Sequence, residues 1–156
     1  MEIAHGAGRK VAMSLSDAFC VERYRDEFQH LAAGNVDILF ANEAEIMSLY
    51  EARTFDEALQ AVRGKCAVAA LTRSEKGCVI VAGDEVHVIE AVKPAALIDT
   101  TGAGDLFAAG FLFGLTHGRD VAASARIGAL AASEVIAHLG PRPQSDLKAL
   151  LKNAGY

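Results

Sequence analysis

Short apolar runs alternate with longer amphipathic segments along the chain, and this alternation gives the first reading of the fold. Glu2-Ile3-Ala4-His5-Gly6 reads as the end of a helix leading into a strand, Val11-Ala12-Met13-Ser14-Leu15. From Phe19 to Ala33 the residues Phe19, Tyr24, Phe28 and Leu31 recur at helical intervals, and Gly34 closes the segment. Val36 to Ala41 is a second strand, Glu43 to Ala52 a short helix, and Phe55 to Val62 another helix stopped by Gly64. Cys66 to Thr72, Cys78 to Ala82 and Glu85 to Ile89 are strand-like, the last two joined by a hairpin turn at Ala82-Gly83-Asp84-Glu85. After Pro94 the segment Ala96 to Ile98 reads as one more short strand, followed by a glycine-rich turn. Two Ala-rich helices, Asp105 to Thr116 and Val121 to His138, lead to the breaker Gly140-Pro141-Arg142-Pro143. Ser145-Asp146 then caps a last helix ending at Asn153.

Strand and helix in alternation specify a largely parallel sheet covered by helices on both faces, a three-layer α/β/α domain. At 156 residues the chain suffices for one domain with a substantial core, and no repeat, low-complexity tract or linker divides it. With 52% hydrophobic and 22% charged residues it has the composition of a compact domain. The formal charge of −5 excludes a nucleic-acid backbone as partner, which would need a basic face. No apolar run reaches the ~18–20 residues of a membrane span, and the first residues lack the pattern of a secretion signal. Cys20, Cys66 and Cys78 form no C-x-x-C pair, so they read as reduced thiols of a cytoplasmic protein, the latter two as small buried hydrophobes.

The chemistry concentrates in Asp99-Thr100-Thr101-Gly102-Ala103-Gly104-Asp105. Gly102 and Gly104 allow backbone conformations closed to other residues and let a ligand approach closely. With Ala103 between them, they open a helix whose first N–H groups and positive dipole end favour an anion such as phosphate. Asp105 follows in the first turn, beside the same donors. Donors that stabilise a moving phosphoryl group, beside a carboxylate that accepts a hydroxyl proton, form a useful pair for phosphoryl transfer. A capping Asp after a tight turn is the alternative reading of the same residues.

This stretch, followed by a helix that starts with the small residues Ala108, Ala109 and Gly110, resembles the second signature of the PfkB (ribokinase-like) carbohydrate and nucleoside kinases. The small residues let the helix pack close to the sheet and the site. The resemblance implies a ribokinase-like fold, ATP-dependent phosphorylation of a hydroxymethyl group on a small sugar or nucleoside, Asp105 as the base, and Gly102, Ala103 and Gly104 as the anion hole. Asn42-Glu43-Ala44-Glu45 is similar to the family's N-x-x-E motif, which implies that Asn42 and Glu45 organise water and Mg²⁺. A capping box is the other reading of these two residues. Thr72-Arg73-Ser74-Glu75-Lys76-Gly77 occupies the place of the family's T-x-G-x-x-G turn beside the nucleotide. Thr72 and Gly77 match, whereas Ser74 replaces a glycine, and Arg73 and Lys76 read as solvated charges, with help in holding phosphate as the alternative.

The helix through Ala129 and Ser133 resembles the one lining the adenine pocket, although an Ala-rich core helix accounts for the same pattern. Asp99 and Thr101 match positions that bind a monovalent cation, K⁺, in some relatives. Ala131-Ala132-Ser133 and the Gly140–Pro143 turn lean towards the adenosine kinase-like relatives. The resemblance spans nearly the whole chain but only the C-terminal half of a typical member. The N-terminal part with its lid and sugar-gripping residues is absent, which leads to the expectation of an exposed edge or apolar face covered by self-association or by that part. The competing reading is a truncated, non-catalytic nucleotide-binding module acting through an interface. A Rossmann dehydrogenase is excluded for want of G-x-G-x-x-G after the first strand.

Overall fold

The structure, a computed structural model, describes residues 1–156. Five strands form one sheet in the order β1 (Ala12–Ser14), β2 (Ile38–Asn42), β3 (Val68–Thr72), β4 (Cys78–Ala82), β5 (Glu85–Ile89). A short helix α1 (Glu2–Gly6) precedes β1. β1 pairs parallel with β2, Met13 opposite Leu39, and β2 pairs parallel with β3, Phe40 opposite Ala70. The crossovers are helical: α2 (Ala18–Arg23) and α3 (Arg25–Ala32), then α4 (Glu43–Leu49) and α5 (Phe55–Val62). The links from β3 to β4 and from β4 to β5 are too short for a parallel crossover, so these strands run antiparallel. After β5 come α6 (Ala103–Thr116), α7 (Val121–Val135) and α8 (Leu147–Asn153).

Residue contacts divide the chain into two compact units, residues 1–73 with 79–87, and residues 74–78 with 88–156. In the first unit one continuous core joins sheet to helices: Leu39, Ala41, Ala69, Leu71, Val79 and Val81 pack with Val21, Ala32, Ile46, Leu49, Phe55, Ala58 and Val62. The alternate strand residues Ile38, Phe40, Ala70 and Ile80 are buried as well. Both faces of the central strands are thus withdrawn from water, which explains their unbroken apolar runs. β1 and β5 are the edges, and their residues are largely exposed.

Side-chain caps set most of the helix starts. Asp17, Thr54, Asp120 and Asp146 each accept a first-turn amide, at α2, α5, α7 and α8. The helix expected from Phe19 to Ala33 is broken at Tyr24, which leaves the helical region at φ −124°. The second piece turns to serve a neighbour. Arg25 Nε donates to the Ser48 carbonyl at 3.0 Å and Gln29 Nε2 to the Leu49 carbonyl at 2.7 Å, satisfying the last carbonyls of α4. The strand expected at Ala96–Ile98 does not form. The Ile98 and Asp99 amides instead donate to the Ile136 carbonyl beyond the end of α7, and Leu97 and Ile98 are left exposed.

In the second unit α6 and α7 meet along a seam of glycines. A Cβ on Gly110 would lie 2.8 Å from the Gly128 Cα, one on Gly128 would lie 2.6 Å from the Phe107 carbonyl oxygen, and one on Gly114 would meet Ser124. The small residues at the start of α6, expected to thin it for close packing on the sheet, therefore include a glycine that serves the approach of α7.

Cys20 is exposed, Cys66 half-buried and Cys78 buried. Burial pushes the Cys66 thiol up to about 11 and the Cys78 thiol up to about 12. A disulfide reagent such as DTNB at neutral pH is expected to label Cys20 promptly, and Cys66 and Cys78 only on unfolding. Rapid labelling of all three in the native protein would show that β4 opens readily.

Candidate active site

The glycine turn is built from Asp99 outward. Asp99 Oδ1 accepts the Thr101 amide at 2.9 Å and the Thr101 hydroxyl at 2.6 Å, while Oδ2 accepts the Gly140 amide at 2.9 Å. The Thr101 hydroxyl, the Gly140 amide and the Thr101 amide together pull the carboxyl down to about 2, so it is ionised at any ordinary pH. Gly102 follows at φ +83°, a left-handed conformation, as the residue before the first turn of α6. A Cβ there would also come within 2.7 Å of the Pro141 Cβ, so both backbone and space require glycine.

Beyond this point the chain presents donors. The Ala103 amide closes the turn on the Thr100 carbonyl at 3.2 Å, whereas the amides of Gly102, Gly104 and Asp105 find no acceptor within the chain. Nothing stands within 4 Å of where a Gly104 Cβ would be. Asp105 is exposed, and no hydrogen bond or ion pair engages its carboxylate. Free amides, the positive end of a fourteen-residue helix and an unencumbered carboxylate thus lie within four consecutive residues. Such a constellation can bind a phosphoryl group and accept a proton beside it.

In the first unit Asn42 and Glu45 form a complete capping box at the start of α4. The Glu45 amide donates to Asn42 Oδ1 at 2.8 Å, the Asn42 amide donates to Glu45 Oε2 at 2.9 Å, and Asn42 Nδ2 donates to Glu45 Oε1 at 2.7 Å. Burial pushes the Glu45 pKa up, and the Asn42 amide partly offsets it. Glu45 is buried while Asn42 is exposed, so the polar face this box offers to a ligand is that of Asn42.

Thr72 ends β3 with its hydroxyl 3.5 Å from the Ala41 carbonyl. Arg73, read from the sequence as a solvated charge, is instead engaged. Its guanidinium donates to both Glu43 oxygens, at 2.9 and 3.3 Å, and stacks 3.9 Å above the Phe55 ring. Ser74 opens a 3₁₀ turn, Ser74–Lys76, at φ +51°, so the left-handed backbone that suits a glycine persists with a side chain present. Gly77 sits at φ +82°, and a Cβ would run into the Ile89 carbonyl. On α7, Ala129 is half-buried, and the buried Ser133 spends its hydroxyl hydrogen on the Leu130 carbonyl at 2.8 Å.

Three features of this region were not singled out from the sequence: the organising bonds of Asp99, the contact of Pro141 with Gly102, and the buried carboxylate of Glu134. An acidic residue in the otherwise small and apolar run from Ile127 to Val135 was the available signal for the last.

Residues 1–148 match the pfkB family carbohydrate kinase model. The chain is 31% identical over 138 residues to a cytidine kinase of Thermococcus kodakarensis, covering 85% of this chain and 49% of that protein. Among solved structures, an adenosine kinase from Sinorhizobium meliloti superposes with a TM-score of 0.95 at 49% identity. A probable sugar kinase from Rhizobium etli superposes with a TM-score of 0.96, also at 49% identity. Each of these two covers 99% of this chain, which in turn spans 47% of theirs. The chain belongs to the PfkB family of carbohydrate kinases and has the ribokinase-like α/β fold. It spans about half the length of the curated relatives it matches.

Proposed function

We propose that the protein containing this chain transfers the γ-phosphoryl group of ATP to a hydroxymethyl group of a small sugar or nucleoside. The observation that carries this reading is the group of unpaired amides at the N-terminus of α6 beside the free carboxylate of Asp105. Gly102 and Gly104, with Ala103 between them, form the anion hole that receives the oxygens of the moving phosphoryl group. Asp105 takes the proton of the attacking hydroxyl as the new P–O bond forms and the bond to the ADP oxygen breaks. Aligned donors that need no rearrangement during the reaction supply the main electrostatic stabilisation.

The exposed Asn42, held from behind by the buried Glu45, would meet a Mg²⁺ through water and nucleotide phosphates rather than within a protein cage, with Glu45 organising the Asn42 side chain. When bound with ATP, Mg²⁺ neutralises phosphate charge. Asp99 and Thr101 are proposed for a monovalent cation, K⁺, which suits oxygen donors already fixed by internal hydrogen bonds. Thr72 and Gly77 lie beside the nucleotide in this reading, and Ala129 and Ser133 line the base pocket. An adenosine or related nucleoside is the favoured acceptor, since an adenosine kinase and a cytidine kinase are among the relatives. The open edge of β1 and exposed Phe19, Leu97, Ile98 and Leu139 offer surface for the other half of a full-length kinase or for a second copy.

Calorimetric titration with ATP and Mg²⁺ tests the reading on this chain. Binding with a Kd between about 1 μM and 1 mM is expected, the span of ordinary substrate constants. With the complementary half supplied, ADP should appear only when an alcohol acceptor is present. Absence of nucleotide binding, or ADP release indifferent to acceptor, overturns it.

A further inference from the structure

Glu134 is a carboxylate only 9% exposed, in the last turn of α7, with no Arg or Lys partner. Its Oε1 accepts three donors: the Ser145 amide at 2.7 Å, the Gln144 amide at 3.0 Å and His138 Nε2 at 3.3 Å. Its Oε2 is buried without a protein partner. Burial pushes its pKa up, yet the Ser145 and Gln144 donors outweigh that and hold it below the ordinary Glu value. A buried carboxylate kept charged by backbone amides is costly to build unless it secures the segment that supplies them.

That segment leads to the glycine turn. Residues 139–145 lie between α7 and α8 without regular structure, and most of their side chains are exposed. At one end Glu134 fastens Gln144 and Ser145. At the other, the Gly140 amide is bound to Asp99, and Pro141 lies against Gly102 so closely that no Cβ fits between them. Asp99 in turn holds the Thr101 amide and hydroxyl. A continuous chain of contacts therefore runs from Glu134 through Gln144–Ser145, Pro141 and Gly140 to Gly102 and Thr101.

We propose that Glu134 is a positioning residue for the anion hole: it pins the 139–145 segment so that Pro141 buttresses Gly102 and Gly140 secures Asp99, fixing the free amides that meet the phosphate. The functional part of this inference rests on the phosphate-binding role proposed above; the mechanical part does not. Glu134 touches no reacting atom. It acts through the segment it holds, so its removal loosens the turn without moving the helices.

Amide hydrogen exchange resolved by residue, on the wild type, Glu134→Ala and Glu134→Gln, separates the two parts. In Glu134→Ala the Thr101, Ala103, Gly140, Gln144 and Ser145 amides exchange about tenfold or more faster, while Leu39, Ala41 and Phe111 keep their rates, the signature of local rather than global opening. Affinity for Mg·ATP falls about tenfold, the size expected for losing charge-assisted bonds that order the site. Glu134→Gln, which keeps an acceptor for the two backbone amides, restores exchange and affinity to within about threefold. Should Glu134→Ala fail to fold, Ser145→Pro removes one donor from the exposed side and should give the same pattern at smaller amplitude. Faster exchange at Gln144 and Ser145 with Thr101 and Ala103 unchanged overturns the proposal, as does a uniform rise over the whole chain. If the wild type binds no ATP the kinase reading fails, and the exchange pattern still decides whether the latch exists.

Discussion

If the proposed phosphoryl transfer holds, Asp105→Asn in a full-length form of the protein containing this chain is expected to lower kcat by about 10²–10⁴-fold, the contribution of a positioned general base. Affinity for ATP should stay within about twofold, because the amides proposed to hold the phosphates are untouched. The expectation follows from what surrounds the carboxylate. Asp105 is exposed, engages no hydrogen bond or ion pair, and lies in the first turn of α6 beside unpaired amides. A structural cap would be spent on a nearby amide, as Asp17, Asp120 and Asp146 are. Asparagine preserves size and polarity and removes only the ability to take a proton, so ADP release coupled to a reporter enzyme isolates the chemistry. Wild-type turnover in this variant would remove Asp105 from the mechanism.

The second large effect belongs to Gly102→Ala. Its φ of +83° imposes about 1–2 kcal/mol on any side chain. The new methyl would also sit 2.7 Å from the Pro141 Cβ and 2.8 Å from its Cα. Overpacking of this kind costs a further ~1–3 kcal/mol. Pro141 belongs to the segment that Gly140 and Glu134 tie down, so the collision cannot be relieved by a free side chain swinging aside. A fall in stability of about 2–5 kcal/mol is expected, read as a drop in Tm of roughly 4–20 °C for a chain of this size. Loss of Mg·ATP binding should accompany it, measured on the folded fraction. A variant with unchanged Tm and affinity would mean that the turn tolerates a side chain, and the case for close backbone approach at Gly102 would fail.

These two positions differ in how they could be found. Asp105 and the glycines before it stand in one stretch of sequence, and local chemistry alone suggests their use. The clash that makes Gly102 indispensable comes from Pro141, thirty-nine positions along the chain. The bonds that fix Asp99 likewise come partly from Gly140. Arg73 is the converse case. As a charge in a turn it read as solvated, with a phosphate contact as the alternative, but a carboxylate from α4 and an aromatic ring from α5 take it up.

Most elements were legible because their signals are short in range. Phe55–Val62, Cys78–Ala82 and Glu85–Ile89 have the bounds read from apolar spacing and turn residues, and α8 ends at Asn153 as expected. The failures share one cause. Tyr24 breaks a well-patterned helix so that Arg25 and Gln29 can satisfy carbonyls at the end of α4. Ala96–Ile98 has a strand's composition, yet its end bonds to the Ile136 carbonyl rather than to a neighbouring strand. In both places a hydrogen-bond partner distant in sequence decided the outcome.

The sequence by itself determined the α/β alternation, the hairpin, the caps and the glycine turn before α6, because periodicity, glycine and capping chemistry act over a few residues. It also carried the family, in the stretch from Asp99 to Asp105. Only the tertiary structure decided that Arg73 is taken up by Glu43 and the Phe55 ring, that glycines bring α6 and α7 together, and that a buried glutamate fastens the segment resting on Gly102. Those outcomes depend on which backbone groups and side chains meet after the chain has returned on itself, and no local pattern encodes that.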